Sequence, residues 1–483
     1  MYEKNHFAYT KNRLLFSTFV VMKSTVQEAM EMQSIWSKTT DLPKQKELKG
    51  NVQVENVVIG AGMAGILTAY FLQKQGKEVI VIEADKVADG QTKNTTAKIT
   101  SQHGLCYYRM IKKAGKARAY GYAKANEEAI ATYEKIINEE GIECQFERLP
   151  SFLYSTKEEG RELLAQETEA AKKLGIKAHF VLGNHIKELP FGITGAVCFE
   201  RQAQFEPLAF IKAIAEKLTI YENTNAVFVH GHIVATNRGT IEAKNIVFAT
   251  HYPFINVPGF YFLRQHQERS YVLALKGENV PGKMSGMYYG IDEGGLSFRC
   301  AQDSLLLGGG AHRTGKKDCH CDRVGYSYLR EQAKKIYPNA VEVTYWAAQD
   351  CMPHDGIPFI GRYSLIRPYW YVATGFHKWG MTASMISAMQ ISNMICGVPS
   401  PYEEVFKPQR WLIRAAVKDF CIDTAESISG LTKGLFGKKE ERCSHMGCHL
   451  TWNEEEKSWD CPCHGSRYDQ NKKVIDNPAQ SRE

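Results

Sequence analysis

"VENVVIGAGMAGILTAYFLQKQGKEVIVIEA" spans residues 54–84 and decides how the chain begins to fold. Its first six residues are rich in β-branched side chains, which predicts a buried strand. Gly60-Ala-Gly62-Met-Ala-Gly65 follows. Ile66, Leu67, Ala69, Tyr70 and Leu72 then recur at helical spacing, and Gly76 marks the stop. "KEVIVIE" predicts a second buried strand ending on Glu83. Each glycine has a task. Gly60 permits the tight turn, Gly62 lets a pyrophosphate approach the backbone, and Gly65 lets helix and strand pack closely. The helix N-terminus offers free N–H groups to phosphate, and Glu83 is placed to bind ribose hydroxyls. A lone GxGxxG is a weak signal. Here strand, turn, helix, second strand and acidic residue stand in order. The stretch therefore predicts a Rossmann-like dinucleotide-binding unit rather than a glycine-rich packing corner.

The 483 residues around this unit suit two to four domains. Hydrophobic residues make up 44% and charged residues 23%, ordinary globular usage with material for a sizeable core. The net charge of +7 is spread among acidic residues with no basic block, so charge predicts no nucleic-acid partner. No apolar run approaches the roughly 20 residues that span a bilayer, so no membrane span is expected. "KNRLLFSTFVVM" (11–22) imitates a signal peptide, but no small-residue cleavage site follows. Residues 1–50 are expected to be an N-terminal extension, with Met22, Met30 and Met32 as alternative starts. Of the 13 cysteines, nine are scattered from Cys106 to Cys421 and four crowd into 443–463. The scattered nine are the usage of a reducing compartment and point to a cytoplasmic protein. The Cys319/Cys321 pair lacks the partners a metal site needs.

Further motifs follow in order along the chain. "DGQTKNTTAKITSQHG" (89–104) is a Ser/Thr-rich loop. "RQAQFEPLAFIKAIA" (201–215) leads into a helix. "NIVFATHYP" (245–253) is a strand. "DGIPFIGR" (355–362) and "YVATGFHKWGMTAS" (371–384) close the series. Together with residues 54–84 they resemble flavoproteins of the D-amino-acid-oxidase/glycine-oxidase class, over about residues 50–410. The resemblance implies FAD, with Thr92, Thr95 and Thr96 in the loop over its phosphates. It also implies that the helix opening near Gly375, Gly380, Met381 and Thr382 points its N-terminus at the flavin pyrimidine ring. Free N–H groups and a positive dipole end would there stabilise negative charge on the reduced flavin. Lys378 and His377 precede that helix and could add positive charge. The stretches "RSYVLAL", "MYYGI" and "LSFRC" alternate like antiparallel strands, which matches the substrate domain of the class. Tyr271, Tyr288, Arg299 and His312 are its candidates to face a substrate. No second dinucleotide unit follows, so electrons are expected from a small amine- or amino-acid-like substrate.

The tail, "RCSHMGCHLTWNEEEKSWDCPCHGS" (442–466), carries Cys443-x-His445 and Cys461-x-x-His464. Cys2His2 is a zinc set, but zinc fingers group a Cys pair and then a His pair. One Cys and one His from each loop suits a [2Fe–2S] centre with two thiolates on one iron and two imidazoles on the other. The residues resemble the Rieske pattern. That resemblance implies a disulfide between Cys448 and Cys463, and hydroxyls of Ser466 and Tyr468 bonded to the cluster and its thiolates. Residues 438–483 hold little else, so this fragment has too small a core to fold alone and is expected to dock on the body.

The expected organisation is therefore an extension (1–50) and a flavoprotein body (51–410). Within the body, FAD-binding parts fall at about 51–140, 197–252 and 346–410, and substrate parts at 141–196 and 253–345. A helical linker (411–437) and a short Rieske domain (438–483) follow. The fold class is α/β plus α+β. The expected function is electron transfer between substrate, FAD and cluster, with an external one-electron donor or acceptor. Two alternatives stand: a reductase running the opposite way, and a redox sensor or scaffold whose cluster reports to a partner.

Overall fold

The computed structural model describes residues 32–316, 323–410 and 413–480. The signal-like stretch, Met22, Met30, Cys319 and Cys321 lie outside the described residues.

Strand Val52–Ile59 sits inside an eight-stranded sheet. It pairs in parallel with Val79–Ile82 on one side and Gly239–Phe248 on the other, so that Val58 lies between Val81 and Val247. Arg367–Thr374 extends the sheet in parallel, and Phe359–Ser364 closes that side antiparallel. Strands buried on both faces read as continuous apolar runs, which is why this sheet was visible in the sequence. Helix Met63–Lys74 covers it and packs beside helix Gly380–Ile395.

A second, nine-stranded sheet stands beside the first. Near one edge of it Gln265–Lys276 lies antiparallel to Ser304–Arg313 and to the edge strand Val341–Pro353. Met287–Gly290 and Ser297–Ala301 follow in the expected antiparallel pairing. Two boundaries move. Gly195–Gln204 and Val341–Pro353 belong to this second sheet, although the sequence division gave most of each to the FAD-binding part. Residues 32–50, expected to lie in the extension, are also part of the body. Trp36 is wholly buried and its indole N–H donates to Thr95 O at 2.7 Å, while Leu48 is buried at the edge of the first sheet. An aromatic anchor of that size removes too much apolar surface from water for this stretch to hang free.

One helix, Ile413–Phe436, leads to the C-terminal lobe. The lobe is a four-stranded antiparallel sheet: Thr451–Asn453, Ser458–Asp460, Arg467–Tyr468 and Val474–Asp476. Trp452 and Trp459 face each other across its first hairpin, ring centres 5.2 Å apart. Its fully buried apolar residues are Cys443, Cys448, Leu450, Cys461, Cys463, Tyr468 and Ala479, a core made mostly of sulfur. Among the described residues no helix is long and apolar enough to cross a membrane.

Candidate functional site

The glycine turn is as tight as the sequence requires. Gly60 has φ +105, and a Cβ there would lie 2.5 Å from Ala249 O. A Cβ on Gly65 would run into the Gly60 carbonyl, and one on Gly62 would crowd Thr92 Oγ1 at 3.2 Å. Such a cradle of bare backbone fits a pyrophosphate. Glu83 accepts from Ala61 N–H at 2.7 Å, so it braces the turn from the end of the second strand. Burial raises its pKa to about 7, opposed by the Ala61 and Asp85 N–H groups. Thr92 Oγ1 accepts from Met63 N–H, the start of the helix, at 2.9 Å. Thr95 and Thr96 continue this loop along the wall of a cavity of 1510 Å³ that begins at the glycine turn.

The far wall of the same cavity holds His377, Lys378, Gly380 and Met381. His377 and Lys378 both have left-handed backbones (φ +50 and +67), a costly conformation for side-chain-bearing residues that concentrates at functional sites. Burial drives His377 to a pKa of about 4, so the ring is neutral. Lys378 stays charged: burial opposes the charge, but Glu268, 2.8 Å away, more than offsets it. Gly375 (φ +74) makes the turn out of the last parallel strand, and Thr382 is buried against Thr100 O at 3.4 Å; both lie behind the wall.

The substrate-side candidates divide. Tyr271 lines the cavity and shares a 2.9 Å hydrogen bond with His312 Nε2. Arg299 does not reach it. Its guanidinium is buried under Trp36 and donates to Thr96 O and to Phe205 O, so it braces the phosphate-side loop. Tyr288 also turns away, donating to Glu188 at 2.6 Å. Two residues not singled out from the sequence take their place. Asp350 lines the cavity, and burial raises its pKa to about 6. Lys98 lines it too, donating to Tyr288 O at 3.0 Å and Ser297 Oγ at 2.5 Å, and burial lowers its pKa to about 7. Lys98 lies within the quoted loop, but nothing in its spacing set it apart. Asp350 had no local signal.

In the lobe, Cys443 and Cys461 are buried side by side. The hydrogen bond with Cys461, then that donated by the Tyr468 hydroxyl at 3.3 Å, holds Cys443 down at about 6. Ser466 is a further hydrogen-bond neighbour of Cys443 and accepts from Ala479 N–H at 3.0 Å. His445 and His464 lie with ring centres 5.0 Å apart, and each has a buried Nδ1 without a hydrogen-bond partner among the described residues. His445 Nε2–H donates to Asn256 Oδ1 at 2.8 Å, which fixes the tautomer that leaves Nδ1 free as a ligand. Burial lowers both rings, to about 4 and about 3, so both are neutral, the form that binds metal. Two thiols and two neutral imidazoles with orphaned nitrogens fit an iron–sulfur centre. Cys448 and Cys463 form a disulfide beneath the linker helix, where a Cβ on Gly430 would lie 2.5 Å from Cys463 Sγ.

The lobe is docked through polar contacts. Gln267 Nε2 donates to His464 O at 2.7 Å, and Gln349 Nε2 to Gly465 O at 2.7 Å. Arg313 donates to Pro462 O and Cys463 O, at 3.1 and 3.2 Å. Arg269 grips the buried carboxylate of Glu456 at 2.6 and 2.7 Å, and Arg467 pairs with the same carboxylate from the lobe side. One body loop serves both imidazoles: Asn256 holds His445, while Phe262 packs edge-on against His464 at 5.8 Å.

Residues 56–394 match the model of the FAD dependent oxidoreductase family. The chain belongs to that family. This FAD-dependent oxidoreductase also matches the Rieske [2Fe-2S] domain over residues 433–482, and FAD and a [2Fe–2S] cluster are its cofactors. It is 32% identical to a putative Rieske 2Fe-2S iron-sulfur protein, YhfW, of Bacillus subtilis, over 92% of this chain and 96% of that one. Its fold resembles an L-proline dehydrogenase from P. horikoshii (TM-score 0.61, 20% identity, 75% of this chain and 98% of that one). It also resembles a glycine oxidase from Geobacillus kaustophilus (TM-score 0.61, 17% identity, 74% and 99%). At those identities the likeness is one of fold.

Proposed function

We propose that this oxidoreductase oxidises a small amine or amino acid and passes the electrons inward to its own cluster, in a body of residues 51–410, on which residues 32–50 also pack, joined by a linker (411–437) to a cluster domain (438–483). One observation carries the reading. Strands Gln265–Lys276 and Val341–Pro353 run side by side between the cavity and the cluster loops. Within one short stretch of the pair, Asp350 and Tyr271 line the cavity, while the interleaved Gln267 and Gln349 hold the carbonyls of His464 and Gly465. Bound FAD supplies two-electron chemistry at a carbon next to nitrogen, and the bound cluster supplies one-electron transfer.

The chain's own residues set the stage for both. Gly60, Gly62 and Gly65 cradle the pyrophosphate, and Glu83 takes the ribose hydroxyls. Cys443, Cys461, His445 and His464 are the cluster ligands, the imidazoles binding through Nδ1. Lys378 and the N-terminus of helix Gly380–Ile395 place positive potential at one end of the cavity. Asp350, with its raised pKa, is suited to hold a substrate ammonium and to take its proton. Tyr271, Tyr289 and Trp379 supply apolar wall. Solved structures with this fold are an L-proline dehydrogenase and a glycine oxidase, and small amino acids are the substrate class we carry over from them. The free, buried cysteines of the body fit a reducing cytoplasm.

An anaerobic screen of small amines and amino acids tests the proposal. The expected outcome is bleaching of the flavin by one of them, followed by the EPR signal of the reduced cluster. Bleaching with a cluster that stays oxidised would overturn the internal transfer. Reduction only by an external donor would favour the opposite direction.

A further inference from the structure

We infer that the cluster domain is itself a wall of the FAD site, and that its segment 473–480 seals the cofactor into the body. The segment crosses the glycine turn and is pinned on both sides of it. On one side Gln91 Nε2 donates to Asp476 Oδ1 at 3.0 Å. Gln91 adjoins Thr92, whose hydroxyl caps the helix start and meets the space a Cβ on Gly62 would need. On the other side Asn477 Nδ2 donates to Thr250 O at 2.5 Å and to Tyr252 O at 2.8 Å. Thr250 adjoins Ala249, whose carbonyl abuts Gly60. Gln480 Nε2 then donates to Ala226 O at 3.1 Å, further along the same cavity. Lys473, Val474, Asn477 and Gln480 line the cavity together with Gly60, Gly62 and Glu83.

The charges suit a place beside a pyrophosphate. Asp476 would repel it, but Arg467 holds that carboxylate at 3.0 Å and itself faces the cavity. Every anchor on the body side is a backbone carbonyl or an amide, so among these docking contacts the one carboxylate is Asp476, which Arg467 holds. FAD must enter before the segment seats, and whatever the docked segment adds to FAD affinity, FAD adds to docking.

The test uses the full-length holoprotein. Release of FAD on dilution is followed by the rise of free-flavin fluorescence, while EPR and absorbance report the cluster. Asn477→Ala and Gln480→Ala should each speed release about tenfold or more with the cluster signal unchanged. Release within twofold of the unaltered protein for both variants would overturn the inference. A second measurement needs no substitution. In hydrogen exchange, residues 473–480 should be protected in FAD-loaded protein and exchange faster in FAD-depleted protein. Equal exchange in the two states would equally refute the seal.

Discussion

At the glycine turn the contacts that fix the cofactor are local. Glu83 reaches Ala61 and Thr92 reaches Met63 across 22 and 29 residues of sequence. In the cluster domain the contacts that fix the ligand loops span 116 to 227 residues, from Gln349 to Gly465, Arg269 to Glu456, Gln267 to His464 and Thr250 to Asn477. The first region is built into a large apolar sheet-and-helix core. The second has a core of cysteines, one leucine, one tyrosine and one alanine, and is held by buried polar groups of the body. A local site stands on its own core; a borrowed one stands only while its lender is in place. Small domains often rely on metal or covalent links for this reason, and here a third support is an interface.

The sharpest break in that comparison is removal of a ligand. Cys461→Ser should take iron and labile sulfide from two of each per chain to none and abolish the EPR signal, while the body's thermal transition persists. A body that unfolds along with the lost cluster would mean that the dependence runs both ways. Next in size is the buried pair at the joint. Arg269→Met leaves Glu456 buried with Arg467 alone, and removing one partner of a buried pair costs about 3–5 kcal/mol. Urea unfolding followed by cluster absorbance should shift by about the lower figure, with the body transition little changed. Gly62→Val then attacks the local site. Crowding of Thr92 and of the pyrophosphate should cost about 1–3 kcal/mol, read as flavin lost on desalting, with the cluster retained. Tyr468→Phe is subtler. It removes one hydroxyl from Cys443 Sγ, a bond to a charged ligand that favours the reduced cluster. About 1.5 kcal/mol is about 65 mV for one electron, so the potential should fall by that order in a redox titration.

The same contrast explains what the sequence disclosed. Gly60, Gly62, Gly65 and Glu83 were legible because backbone approach and strand register impose residue types at short, fixed spacing. The cysteines and histidines of the two cluster loops were legible because ligand chemistry does the same. The need for the tail to dock followed from its size. What it docks on did not, because Gln267, Gln349, Arg269 and Asn256 are ordinary polar residues on strands and loops far away in sequence. Arg299 misled for a related reason. A charged residue on a substrate-domain strand can point to either face, and here it braces Thr96 instead of meeting the cavity. Asp350 escaped because one strand residue facing a cavity has no sequence signature until its partners across the sheet are known. Residues 32–50 read as an appendage in sequence because Trp36 has no neighbours there to announce its pocket.

The smallest effect tests the joint through pH. Asp423, on the linker helix, accepts from His266 Nδ1 at 2.9 Å and His354 Nε2 at 2.5 Å and pairs with Arg313. His266 Nε2 lies 3.5 Å from Glu268, which also holds Lys378. Burial opposes a charge on His266, but the Asp423 and Glu268 carboxylates outweigh it, so its pKa is raised. A raised value in the folded state means that the stabilisation is fully present below the unfolded value of roughly 6.5. It is lost as pH climbs through the folded value. What disappears is the difference between charge-assisted and neutral hydrogen bonds, about 1 kcal/mol. The readout is the urea midpoint of the transition that reports the cluster, compared at mildly acid and at alkaline pH. Other groups titrate over the same span, so the decisive quantity is the difference between the unaltered protein and His266→Gln. The unaltered protein should lose about 1 kcal/mol more than the variant on going alkaline, because glutamine keeps a neutral hydrogen bond at every pH. Equal losses would show that the linker is held by packing and by its other partners, Arg313 and His354 among them, and that His266 only fills space between the body and the domain it supports.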